Sequence, residues 1–367
     1  MDLPVSPPVK PMLAKAIEGI PVDGDLIFEP KYDGFRCIVF RYGDEVVLGS
    51  RNERPLTRYF PEMLVAMRDH LPDRCVVDGE LVVIVGDRLD FDALQQRIHP
   101  ADSRVRMLAD RTPASFMAFD LLALDRDDLR HRPFRERRRL LTDVLRHAGP
   151  PVHRAPSTED RAIALDWFVR FEGAGLDGLI AKPADGPYVE DKRVQFKVKH
   201  VRSADVVVAG FRWHKDGLGV GSLLLGLFED GTLHHVGVAA SFAAKRRTEL
   251  VDELSPLAEG ALEDHPWRAW ADAEAHDSGR MPGAPSRWSG QRDASWVPLR
   301  LERVCEVKYS STLSGRFRGV TQFLRWRADK VPEQCTYEQL DEPEPMGFSG
   351  VLAAGEAALP ESGDHPS

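Results

Sequence analysis

EPKYDGFR, running from Glu29 to Arg36, is a charged turn set between two apolar runs. Residues 26–29 precede it and 35–49 follow, and both runs are rich in the Val, Ile and Phe that favour extended strands. An exposed lysine ahead of an Asp-Gly turn would satisfy the local physics. Four fixed residues in the frame K-x-D-G-x-R, however, arise by chance in roughly one chain of this length in a few hundred. The frame around Lys31 therefore calls for a reading beyond that of a surface turn.

On either side, strand-like runs fall at 75–85, 115–124, 178–182 and 194–199, and helix-period patterns at 56–71, 92–98, 134–147 and 161–171. This interleaving predicts an α+β domain with a mostly antiparallel sheet core over residues 1–200. The character then changes. ADVVVAGFRW, GSLLLGLFED and LHHVGVAAS read as three short strands, a helix follows at 243–257, and VPLRLERVCEVKYSS and GVTQFLRWRA supply further strands. That order predicts an all-β OB-fold barrel over 201–336. Gly217, Gly219 and Gly221 fall short of GxGxxG and sit between two strands, which marks a hairpin turn. No GxxxxGK[ST] occurs, so any nucleotide chemistry is not of the P-loop kind. Residues 337–367 lack periodicity and are expected to form an acidic flexible tail.

A chain of 367 residues can bury two cores, and no apolar run reaches the roughly 18 residues of a membrane-spanning helix. The N-terminus has no secretory h-region, so a cytoplasmic protein is expected. Four cysteines without a CxxC pair argue against a zinc ribbon or a disulfide framework. His234 and His235 lack partners at metal-ligand spacing and read as structural. The net charge of −9 argues against a nucleic-acid binder only until its distribution is seen. Arg300 to Lys330 holds eight basic residues and three acids, whereas 337–367 holds seven acids and no Lys or Arg. A second basic stretch runs from Lys192 to Lys215.

The frame around Lys31 resembles the signature of the covalent nucleotidyltransferases, which comprise DNA ligases, RNA ligases and mRNA-capping enzymes. The resemblance implies that Lys31 attacks the α-phosphorus of ATP and keeps AMP as a phosphoramidate, with Glu29 and Arg36 in the nucleotide pocket. An amine of ordinary pKa near ~10.4 is protonated at neutral pH and cannot attack, but nearby cations lower that value. Arg36, Lys197 and Lys199 are candidates for that crowding. Further motifs follow in the family's order. Ser50-Arg51-Asn52 resembles the motif whose arginine grips a DNA 5′-phosphate, and VVDGELVV the strand whose glutamate, here Glu80, meets the ribose. FMAFDLL implies a purine stacked on Phe119. LDGLIAK resembles the metal-binding motif, with Asp177 and Glu80 as ligands of Mg²⁺ (or Mn²⁺). QFKVK implies Lys197 and Lys199 on the α-phosphate, and RWRADK implies Arg327 and Lys330 on the pyrophosphate. Arg202 is assigned to DNA. Singly, Glu80 could be an ordinary strand residue, Phe119 a core aromatic, and Lys197 and Lys199 a solvated face. The ordered set carries the inference. One departure stands out: ligases usually have glutamate where this chain has Asp177, and Glu172 is the rival ligand.

Within the superfamily, the most specific similarity is to small bacterial ATP-dependent DNA ligases of the LigC type and to the ligase module of LigD. It rests on KYDGFR, on FxxLQxR (Phe91 to Arg97), on KVKHVRSADVVVAG, on EVKYS and on RFRGVTQFLRWRADKVPEQC. It implies a monomer that seals nicked duplex DNA, with repair proteins as partners. Three alternatives stay open: an RNA ligase, a capping guanylyltransferase, and a non-catalytic OB-containing nucleic-acid-binding protein. The last would be expected to lose one of Lys31, Arg36, Glu80, Lys197 or Lys199, and all are present.

Overall fold

The computed structural model describes residues 1–271, 295–313, 315–340 and 344–357. These form two compact units, 1–199 together with the C-terminal segment 344–357, and 200–340.

The first unit is built on two sheets. In the larger, the strand Phe35–Tyr42 pairs antiparallel with both Glu45–Ser50 and Arg74–Val85, and the latter pairs with Ala114–Leu124. Phe35–Tyr42 is almost continuously apolar because both of its faces are buried. Cys37 and Val39 face the core formed with Phe60, Met63 and Met67 of helix Pro61–His70. Ile38 and Phe40 point the other way, onto Leu3, Val5 and Val9 of the N-terminal segment. The run 35–49 is thus a hairpin, turned at Gly43 (φ 56°), where a left-handed backbone favours glycine. The smaller sheet has the order Leu13–Ala16, Arg193–Val198, Leu179–Pro183, Leu26–Pro30. It sets the strand leading into Lys31 beside the strand that brings Lys182, with the strand of Lys197 next along the sheet. The short strand Leu13–Ala16 and the helix Asp102–Arg111 are not evident in the sequence pattern.

Behind the larger sheet lies a fully buried ion pair. Arg137 on helix Phe134–Val144 donates from Nε and one Nη to Asp120, at 2.8 and 2.9 Å. Removing one partner strands the other charge in the core, so Asp120→Ala is expected to cost about 3–5 kcal/mol. Urea unfolding checks this, and a loss below about 1 kcal/mol would mean that water reaches the guanidinium in the variant.

The second unit is a closed barrel. Its strand order is Thr232–Ala240, Val220–Glu229, Arg202–Trp213, Val304–Tyr309, Gln322–Trp326, all antiparallel. The ends meet where Thr321 donates to Val238 O at 2.9 Å and forms a parallel bridge with Ala239. Closure removes the free edges that an open sheet would expose. Helix Ala244–Ala258 sends Leu250 and Leu254 into the barrel core. The turn at Gly217 and Gly219 (φ 73° and 92°) is the expected hairpin. These are a nucleotidyltransferase-type α+β unit and an OB-fold unit.

The expectation of a flexible tail over 337–367 is corrected by the structure. Tyr337–Gln339 forms a short 3-10 turn in the second unit, and Phe348–Ala357 is a helix packed on the first. Phe348 and Val351 are fully buried among Tyr32, Trp167 and Phe171. Low periodicity misled because the helix is built from small and apolar residues, FSGVLAAGEA, so its buried face has no polar contrast. Residues 341–343 and 358–367 of that stretch, like 272–294, lie outside the described residues.

Candidate active site

Lys31 follows directly on the strand Leu26–Pro30, and its backbone is tied to the loop ahead of Leu179–Pro183. Lys31 N–H donates to Gly178 O at 2.9 Å, and Asp177 N–H donates to Lys31 O at 3.0 Å. Two glycines make this approach possible. A Cβ on Gly178 (φ 131°) would lie 2.0 Å from Val198 O, and one on Gly34 would lie 2.2 Å from Leu81 O. The Asp-Gly of KYDG and the Asp-Gly of LDGL are therefore places where neighbouring backbones leave no room for a side chain.

The Lys31 Nζ donates to Asp177 Oδ2 at 2.6 Å, and Lys199 Nζ sits 2.6 Å from the same oxygen. Burial alone would raise the Asp177 carboxyl, but the two ammonium groups outweigh it and hold it below its ordinary value. Asp177, not Glu172, is the carboxylate on the Lys31 amine. Lys197 lies one strand position from Phe196, facing the cavity beside Lys31. Burial and the charges of Lys199, Lys31 and Arg51 push its amine down.

Lys31 opens onto a cavity of about 350 Å³, lined also by Glu29, Arg36, Arg51, Glu80, Phe119 and Lys197. Arg36 is not a free cation there. It makes a bidentate pair with the buried Asp78 at 2.5 Å, and Asp78 also accepts from Tyr188 Oη at 2.7 Å. Lys199 shares the Asp177 oxygen with Lys31, and Lys197 lines the same cavity as Lys31. Arg36 also lies 4.4 Å over the Phe119 ring, whose centroid is 4.5 Å from Lys182 Nζ.

Glu80 has its carboxyl pushed up to about 7, because burial outweighs the pull of Arg36 and Lys31. A raised acid stabilises the fold at low pH and loses that contribution as pH climbs through its folded value. Glu80→Gln is thus expected to match the wild type near pH 4 and to gain stability over it up to pH 8. The gain should reach up to about 3 kcal/mol in nucleotide-free protein. Unfolding midpoints at pH 5 and pH 8 measure it, and an advantage that does not grow with pH would contradict it.

Several residues of the cavity, among them Arg193, Gln195, Lys182 and Tyr32, escaped the sequence reading. Arg193 and Gln195 share the face of Lys197 on Arg193–Val198 and line the cavity with it. Counting back by two from Lys197 would have found them. Lys182, the last residue of LDGLIAK, is buried and 2.6 Å from Glu29 Oε2; burial pushes its amine down, with Glu29 opposing. Glu29 is itself buried, and its Oε1 accepts no hydrogen bond. The Tyr32 hydroxyl likewise has none. Both residues line the cavity, but these two atoms are buried within the protein, where Glu29 Oε1 lies 3.7 Å from Arg138 Nη1. Among the described residues no three His, Cys, Asp or Glu cluster to form a metal cage. Asp177 Oδ2 is shared by Lys31 and Lys199, and Asp177 is not among the residues that line the cavity with Glu80.

The remaining assigned residues lie in the second unit. Arg327 donates from Nη1 to both Asp205 oxygens at 2.9 and 2.8 Å and from Nε and Nη2 to Asp329. Lys330 Nζ reaches Asp205 Oδ2 at 2.6 Å. These pairs push the Arg327 guanidinium up, with Asp329 contributing most, and hold the Asp329 carboxyl far down. Arg202 donates to Ser310 O at 3.4 Å.

Residues 11–199 match the model of the ATP dependent DNA ligase domain, and 216–330 that of the ATP dependent DNA ligase C terminal region. A DNA ligase C of Mycobacterium tuberculosis is 54% identical over 96% of this chain and 99% of its own length. A DNA ligase C2 of Mycolicibacterium smegmatis is 55% identical over 94% of this chain and 97% of its own. A solved Lig E DNA ligase structure resembles the fold, with a TM-score of 0.53 at 18% identity over 86% of this chain and 99% of that one. The ordered motifs, the paired units and these likenesses agree, and the chain belongs to the ATP-dependent DNA ligase family.

Proposed function

We propose that the chain seals nicks in duplex DNA through a lysyl-AMP intermediate on Lys31. The observation that carries this reading is the Lys31 amine held 2.6 Å from Asp177 at the wall of a cavity with Phe119, Glu80 and Lys197. In the first step the neutral amine attacks the α-phosphorus, the bond to the pyrophosphate oxygen breaks, and the amine proton leaves to solvent. Asp177 and the backbone bonds to Gly178 orient the amine, while Lys197 and Lys199 offset charge on the phosphate oxygens. Glu29 and Phe119 hold the base and Glu80 the ribose. Arg327 and Lys330 orient the leaving pyrophosphate. Mg²⁺, for which Mn²⁺ can substitute, would be held by Asp177 and Glu80 and supplies charge neutralisation on the phosphates. A 5′-phosphate oxygen at the nick, gripped by Arg51, then takes AMP from Lys31. The 3′-hydroxyl attacks that phosphorus and expels AMP.

The protein acts as a cytoplasmic monomer in DNA repair, with repair proteins among its partners. No helix among the described residues is long and apolar enough to cross a membrane. DNA affinity comes from phosphate contacts by Arg51, Arg202 and neighbouring cations, so log Kd should climb linearly with log salt. Binding indifferent to salt between 50 and 200 mM would exclude that source.

The deciding experiment is sealing of a nicked duplex with Mg²⁺ and, separately, ATP, GTP or NAD⁺. ATP alone should support sealing, and EDTA should stop it. Covalent label from GTP without sealing would instead place the chain among capping enzymes.

A further inference from the structure

The C-terminal helix Phe348–Ala357 packs against each of the three chain segments that deliver Lys31, Asp177 and Glu80. Phe348 meets Tyr32, the neighbour of Lys31, edge to face with centroids 6.5 Å apart. Tyr32 is buried, lines the nucleotide cavity and shares one apolar cluster with Phe348 and Val351. The segment just ahead of the helix touches the turn Phe171–Ala174, which leads to Asp177. A Cβ on Gly173 would stand 1.9 Å from Glu344 O, so the two backbones are in direct contact. The first turn of the helix is capped by Asp87, just beyond the strand Arg74–Val85 that carries Glu80. Phe348 N–H donates to Asp87 O at 2.6 Å, Ser349 N–H to Oδ1 at 2.9 Å, and Ser349 Oγ to Oδ2 at 2.7 Å. At the far end, a Cβ on Gly355 would fall 2.4 Å from Pro156 Cγ. The seat is shaped to this helix along its length.

We propose that the C-terminal helix is a positioning element of the nucleotide site, with Phe348 as the residue that seats Tyr32 against the bound nucleotide. It acts through Tyr32 and the turn before Asp177 and touches no reacting atom. The proposal rests on Lys31 being the nucleophile. Tyr32 fills the corner where the strand ends and the lysine begins, so a hole behind its ring lets both the cavity wall and the Lys31 backbone relax. The loss should appear in ATP capture rather than in the chemistry of an already adenylated nick.

The test uses the full chain carrying Phe348→Ala, Phe348→Leu or Ser349→Ala, each assayed well below its unfolding midpoint. Phe348→Ala should raise KM for ATP in self-adenylation about ten-fold, change kcat less than about three-fold, and leave sealing of a pre-adenylated nick within about two-fold. Phe348→Leu, which refills most of the hole, should return KM to within about three-fold of wild type. Should Phe348→Ala fail to fold, Ser349→Ala removes only the cap hydroxyl and should still raise KM about two-fold. An unchanged KM in the soluble variants, or equal losses in ATP-dependent and pre-adenylated sealing, overturns the proposal. Lys31→Ala run alongside separates the two layers: if it still takes label, the nucleophile assignment fails, whereas a dead Lys31→Ala with a normal Phe348→Ala refutes the helix alone.

Discussion

Lys31→Ala is expected to lose covalent labelling by ATP by at least about a thousand-fold, the scale on which removal of a covalent nucleophile acts. Sealing of a nick that already carries the 5′-adenylate should fall far less, within about ten-fold, since that step needs no amine. Two other amines lie close by, and the geometry says why neither replaces it. Lys199 is bound to the same Asp177 oxygen, and its backbone lacks the two hydrogen bonds that tie Lys31 to Asp177 and Gly178. Lys197 lines the same cavity from the strand Arg193–Val198, whereas the ion pairs of Asp177 among the described residues are with Lys31 and Lys199. Lys31→Arg should be equally inactive, because a guanidinium does not give up its proton near neutral pH. Gel-resolved transfer of radiolabel from α-labelled ATP checks both variants. Label retained on Lys31→Ala at more than a few per cent of wild type would move the nucleophile elsewhere.

Arg327→Ala should slow self-adenylation about a hundred-fold while sealing of a pre-adenylated nick changes less than about five-fold. The asymmetry follows from the step in which pyrophosphate must be held opposite the attacking amine, which happens only once per cycle. In this structure Arg327 and Lys330 are both engaged by Asp205, and Arg327 also by Asp329. A triphosphate presents more negative charge than one carboxylate and can draw both cations from Asp205. The comparison is made by single-turnover rates with ATP and with adenylated DNA. Equal losses in the two steps would mean that Arg327 serves the barrel's structure or DNA contact instead of the leaving group.

Legibility of the site differed residue by residue. Lys31, Glu80, Phe119 and Lys197 stand in short frames that resemble the family's motifs, and the fold brings all four to one cavity. Arg36 was equally legible as a cavity residue, yet its charge is absorbed by Asp78, forty-two positions away in sequence. No local pattern announces such a pairing, since Asp78 belongs to the motif VVDGELVV, in which Glu80 is the residue that reads as facing the nucleotide. Lys182 was overlooked for a related reason. A lysine ending a strand normally snorkels to solvent, and here Glu29 from the adjacent strand meets it inside the protein.

The amino-acid order alone was enough for the α+β and OB-fold classes and for the likeness to the ATP-dependent DNA ligases. The first depends on strand and helix periodicity, which local sterics impose, and the second on the resemblance of short motifs to those of the family. Contacts over long separations were not readable in that way: which carboxylate the amine meets, where Arg36 spends its charge, and that residues 348–357 return to the first unit. They arise because burial must be satisfied jointly. A charge finds its partner, and a small apolar helix its seat, only after distant segments have been folded against each other.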